Sequence, residues 1–273
     1  MIRTFVSASR SLLGARPSVS GWSMIIVALS IAAWLGTLMF MGGMDEGPGT
    51  PLHRLPVFLV GWVVMLTAMM LPSELNYIGA LVGMLRGRGV APAIRVRRVL
   101  GFIGGYGMAW LVYGLIAFTL DGLVRFVNPD VIHWNRAGPW LAGAVLILAG
   151  MYQLSTLKHA CLKGCRSPFS FFQLHWRAGN GGAVTMGFRH GLVCVGCCWA
   201  LMAVMFAVGV MSLTWMALLT LFMFAEKVLP NGRRLAMPIA AFLLIMGGWI
   251  AVSPDTAPLL QDPLMFEGYC RNL

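Results

Sequence analysis

Seven apolar stretches, at residues 22–43, 56–84, 99–120, 139–157, 191–211, 214–230 and 235–252, follow one another along a chain of 273 residues with little polar sequence between them. Most approach the roughly 20 residues an α-helix needs to cross about 30 Å of hydrocarbon. Buried in lipid, a backbone must satisfy its own hydrogen bonds, so such a run of segments predicts an all-α, polytopic transmembrane bundle of about seven helices. The composition agrees: 59% of residues are hydrophobic and 11% charged, with a mean hydropathy of +0.80. The sixth stretch is the shortest.

Basic residues orient the bundle, because Lys and Arg near helix ends stay on the cytoplasmic side. With the N-terminus inside, the cytoplasmic segments hold 16 of the 20 Lys and Arg residues, leaving Arg54, Arg125, Arg136 and Arg271 outside. This predicts a cytoplasmic segment 1–21, one integral domain 22–252 with a cytoplasmic loop 158–190, and a periplasmic tail 253–273. The expected location is a bacterial inner membrane. A cleaved signal peptide is not expected, since Arg16 lies close before an apolar stretch long enough to span and no small-residue cleavage site follows. The net charge of +11 then belongs to loops beside anionic lipid and does not indicate a nucleic-acid partner.

The fifth stretch opens with an unusual set of side chains. His190, Cys194, Cys197, Cys198, Met202 and Met205 fall, with Leu201, on an arc of about 140° at 100° per residue. Thiols, imidazole and thioethers are the ligands of soft transition metals. Upstream, His159, Cys161 and Cys165 form a second group, separated from the first by the expected loop. Neither spacing is that of a zinc finger, although zinc at four tetrahedral ligands is an alternative. A cytoplasmic position keeps these thiols reduced and favours metal sites over disulfides. Cys270 lies on the other face with no evident partner.

Two further stretches supply polar groups. In Met69-Met70-Leu71-Pro72-Ser73-Glu74, Pro72 removes a backbone donor and clashes with the Ala68 carbonyl, so a kink is expected there. Glu74 is an intramembrane carboxylate, costly to bury without a partner. At the end of the sixth stretch, Glu226 could face Glu74, His190 or a metal, while Lys227 reads as an interface anchor that snorkels to the headgroups. The aromatic stretch 169–176 suits a short interfacial helix. The glycines of Gly101-x-x-x-Gly105 and Gly187-x-x-x-Gly191 suit close helix packing. Met39, Met41 and Met44, with Asp45, Glu46 and His53, form a possible outer thioether cluster. No phosphate loop, dinucleotide fingerprint, nucleophile elbow or heme attachment motif is present.

Together, Trp62 with Ala68-Met69-Met70-Leu71-Pro72, Lys158-x-x-Cys161-x-x-x-Cys165-Arg166-x-Pro168, Gly187-x-x-His190-Gly191-x-x-Cys194-x-Gly196-Cys197-Cys198-Trp199-x-Leu201-Met202, and Glu226-Lys227 before Pro230 resemble a bacterial family of predicted metal-binding integral membrane proteins of unknown function. The resemblance runs from about residue 20 to residue 252. It implies a helical membrane protein with a metal site built from these positions, and it supplies no reaction.

The resulting expectation is a soft-metal site for storage, delivery or insertion into a partner. Copper is the favoured metal, with zinc and iron as alternatives. Cys194, Cys197 and Cys198 are the expected thiolates, with His190 and Met69 or Met70 completing the shell and Met202 on the same face. Cys161, Cys165 and His159 would form a relay or second site, and Glu74 and Glu226 would tune charge. Expected partners are membrane lipids and a membrane complex or metalloenzyme. Two alternatives stay open: a membrane oxidoreductase using Glu74, Glu226 and His190, against which the shortage of histidines argues, and a structural or assembly subunit. A thiol-disulfide relay through Cys194-x-x-Cys197 is disfavoured by its cytoplasmic depth. No catalytic residue is assigned.

Overall fold

The computed structural model describes residues 20–41, 54–127, 137–209, 212–229 and 232–253. Of the outer methionine cluster, Met39 is exposed and Met41 ends the first helix, while Met44, Asp45, Glu46 and His53 fall outside these residues, as does Cys270. Among the described residues all regular structure is helical. In chain order the helices are α1 (Ser20–Met41), α2 (Leu55–Met69), a short 3₁₀ turn (Leu71–Glu74), α3 (Leu75–Gly87), α4 (Pro92–Val127), α5 (Gly138–Gln153), α6 (Thr156–Cys165), α7 (Pro168–His175), α8 (Gly179–Val208), α9 (Leu213–Val228) and α10 (Gly232–Val252).

Four of these, within α1, α4, α8 and α10, are long and apolar enough to cross a membrane, and two bent pairs raise the number to six. Helix α9 has 16 residues, which leaves the sixth expected stretch shorter than a full span. Outward faces carry large apolar side chains such as Val60, Leu148, Leu221 and Ile245.

The break expected at Pro72 is present. Helix α2 stops at Met69, and the chain continues into α3 at a 50° bend. Side-chain hydroxyls bind main-chain carbonyls around the break: Ser30 Oγ donates to Thr67 O at 3.2 Å, and Ser73 Oγ to Met70 O at 2.7 Å. This puts Ser73 and Glu74 on a buried turn inside the bundle.

The expected loop 158–190 is instead largely helical. Helix α5 turns through 68° into α6, where Ser155 caps the new helix by accepting from Lys158 N at 3.1 Å. The aromatic stretch forms α7, with Phe171 and Phe172 buried. The glycine-rich turn is the first turn of α8, entered through Gly179 at φ +83°, a left-handed conformation that glycine adopts without strain. Helix α8 therefore begins twelve residues before the expected 191, and His190 sits well inside it.

Helices α4 and α8 approach closely. A Cβ on Gly105 would collide with the Val184 carbonyl, and one on Gly187 with the Phe102 carbonyl. The small residues read from the sequence thus let two backbones touch. That contact brings Tyr106 of α4 against the cysteine face of α8.

Candidate metal centre

Helix α8 turns one face inward along its length. His190, Cys194, Cys197, Cys198, Leu201, Met202 and Met205 are all buried, as the 3.6-residue period requires of a shared face. What covers that face decides its chemistry.

Helix α6 brings Cys165 to it. The 68° turn folds α6 back on α8, so that Cys165 Sγ lies 3.5 Å from Cys197 Sγ, and Cys197 Sγ lies 3.2 Å from Cys198 Sγ. The sulfurs of Cys165, Cys194 and Cys197 all fall within 4.8 Å of one another, close enough for one ion to touch three thiolates. Cys161, one turn earlier, is half-buried, and its sulfur rests on Gly196, where a Cβ would approach Sγ to 2.8 Å. The Tyr152 hydroxyl donates to the Gly196 carbonyl beside it. Met69, Met70 and Met202 belong to the same buried apolar cluster as the cysteines.

Against this sulfur cluster stands a charged network. Glu74 on the 3₁₀ turn pairs through Oε2 with His190 Nε2 at 2.5 Å, and through Oε1 with Lys227 Nζ of α9 at 3.4 Å. Lys227 Nζ also donates to Ser73 Oγ at 3.1 Å and to Cys194 Sγ at 3.0 Å, and lies 3.8 Å from Met70 Sδ. The Tyr106 hydroxyl meets Cys194 Sγ at 3.2 Å. The His190 ring stacks on Tyr77 with centroids 3.7 Å apart and packs against Phe102, Tyr106 and Phe171. Its Nδ1 is buried with no hydrogen-bond partner among the described residues. A charge so deep needs partners to offset its lost hydration, and each charge here has them.

Two expected members stand elsewhere. Glu226 does not face Glu74 or His190: Lys158 Nζ holds its Oε2 at 2.6 Å and Gln153 Nε2 donates to its Oε1 at 3.1 Å. On α9, residues 226 and 227 point about 100° apart, so one turns to α6 and the other to the 3₁₀ turn. The ligand set of the oxidoreductase alternative, Glu74, Glu226 and His190, is therefore not gathered at one point. His159 leaves its expected group for a like reason. Two residues apart on a helix, His159 and Cys161 occupy different faces, and His159 lines a separate cavity with Lys163 and Arg166.

Sequence reasoning missed Lys227, Lys158, Tyr106 and Ser73. Lys227 was expected to reach the headgroups; it is buried, because α9 leans on the 3₁₀ turn and brings the ammonium over Glu74. Lys158 looked like part of a polar loop, and it is buried in α6. The available signal was that both lysines lie within the family-like segments.

Over residues 59–250 the sequence matches a family described as PpoB2, copper chaperone. No curated protein and no solved structure matches it.

Proposed function

The chain belongs to the PpoB2 copper chaperone family, and from that premise we propose that it is a membrane-embedded carrier that holds Cu(I) at Cys165, Cys194 and Cys197 and passes it to a copper-requiring partner. The observation that carries this reading is the triad of buried sulfurs within 4.8 Å, drawn from two helices. Monovalent copper is soft and is satisfied by thiolates and thioethers, the groups this cluster supplies. Cys198, Met70 and Met202 stand ready as exchange ligands. Half-buried Cys161, one turn from Cys165, gives the ion a path between the triad and the surface through successive sulfurs.

The chemistry is ligand exchange. A thiolate or thioether from outside replaces one protein sulfur at a time, with no change in the metal's oxidation state. Thiols lose protons when they bind the ion, so uptake releases protons. The membrane reading is supported by the apolar outer faces and by the four to six helices long enough to span.

Elemental analysis of the purified, reduced chain tests the site. About one copper per chain is expected, falling below about a tenth of that in Cys165→Ser/Cys194→Ser. Unchanged stoichiometry in the double variant would sink the assignment. Fractionation tests the location: the chain should stay with membranes after a carbonate wash, and release into the supernatant would contradict it.

A further inference from the structure

A full positive charge is set directly against the sulfur cluster. Lys227 Nζ has three hydrogens, and three acceptors surround it: Cys194 Sγ at 3.0 Å, Ser73 Oγ at 3.1 Å and Glu74 Oε1 at 3.4 Å. Held on three sides and buried, the ammonium cannot swing away. It has no lone pair and cannot ligate a metal, so its effect on one is electrostatic. Met70 Sδ, 3.8 Å from the same nitrogen, puts a second soft atom in its reach.

We propose that Lys227 sets the valence preference of the site, favouring a monovalent over a divalent ion among the same three cysteines. The inference rests on the reading that Cys165, Cys194 and Cys197 hold the metal. The thiolates attract a divalent ion more strongly than a monovalent one, and thiolate ligation alone leaves zinc a competitor. The ammonium acts in the other direction. It repels a divalent ion by one extra unit of charge, and it stabilises the monovalent complex, whose net negative charge is larger by one. At about 5 Å and an effective dielectric near 20, one unit of charge shifts relative affinity by more than about tenfold.

Glu74 opposes this effect only in part. Its Oε2 is turned to His190 Nε2 at 2.5 Å, and the ammonium stands between Oε1 and Cys194. The two charges of one ion pair therefore pull the preference in opposite directions.

Competition between Cu(I) and Zn(II), each buffered by a chromophoric chelator under reductant, tests this on the full chain in detergent. Relative to wild type, Lys227→Leu should move the copper-to-zinc affinity ratio at least about tenfold toward zinc, or about 1.4 kcal/mol. Lys227→Arg keeps the charge and should stay within about threefold, and Glu74→Gln should move the ratio toward copper. Opposite shifts from the two halves of one pair cannot come from a loosened fold. A ratio unchanged in Lys227→Leu, or moved the same way by Glu74→Gln, overturns the proposal. If Lys227→Leu does not accumulate, the direction of the Glu74→Gln shift decides. A wild-type chain that takes up no Cu(I) overturns the underlying reading instead.

Discussion

Glu226 and Lys227 are neighbours in sequence, and both are buried, yet each completes a different ion network. Glu226 closes one built of oxygen and nitrogen alone: Lys158 holds one carboxylate oxygen, Gln153 the other, and Arg166 Nη1 donates to the Glu226 main-chain carbonyl at 3.3 Å. Lys227 belongs to one that also contains sulfur, in which the ammonium touches a thiol, a thioether lies near it and His190 Nδ1 has no hydrogen-bond partner among the described residues. The first network pairs hard groups with each other, and its effect is to pin α6 to α9. The second mixes charge with soft sulfur atoms that have ligand capacity to spare. A buried charge is thus structural where its partners are hard groups alone, and a functional candidate where soft ligand atoms join them.

Breaking the oxygen–nitrogen network should have the largest effect on stability. Lys158→Met leaves the Glu226 carboxylate buried and uncompensated, at a cost of about 3–5 kcal/mol, read as a lowered unfolding temperature in detergent. Lys158→Met/Glu226→Met should recover most of that loss. If the double variant is no better than the single one, the pair is not an isolated structural latch.

In the sulfur-containing network the order of effects reverses, with small stability costs and large changes in metal content. Cys197→Ser should cost about 1–2 kcal/mol for a buried hydroxyl, while bound copper falls several-fold by elemental analysis. A large loss of stability with copper retained would mean that the cysteines merely pack. Tyr106→Phe removes one hydrogen bond to Cys194 and should cost about 1 kcal/mol, with copper still bound. The smallest effect is expected at His159, which lines a cavity that none of the thiols lines. His159→Ala should change stability by less than about 0.5 kcal/mol and leave copper stoichiometry unchanged; lost copper would return His159 to the site.

The two networks also differ in how far the sequence revealed them. The inward face of α8 was legible, because helical period alone aligns His190, Cys194, Cys197, Cys198 and Met202. So was the break at Pro72, which follows from a missing donor, and so was the use of the α4 and α8 glycines for close packing, though not that the two helices pack on each other. Periodicity identifies a buried face without identifying what covers it. That Cys165 rather than Cys161 joins the triad depends on the 68° turn before α6, a consequence of packing against α8. The directions of Glu226 and Lys227 depended on partners 68 and 153 residues away in sequence. The helical character of 158–190 was hidden by its polarity, which suits a short helix packed on one side as well as a loop.

X-ray absorption at the copper edge of the copper-loaded, reduced chain tests the central claim most directly. The sulfur triad predicts monovalent copper with a first shell of sulfur alone, lost when Cys165 and Cys194 are both replaced by serine. A shell dominated by nitrogen or oxygen, or one unchanged in that double variant, would contradict it.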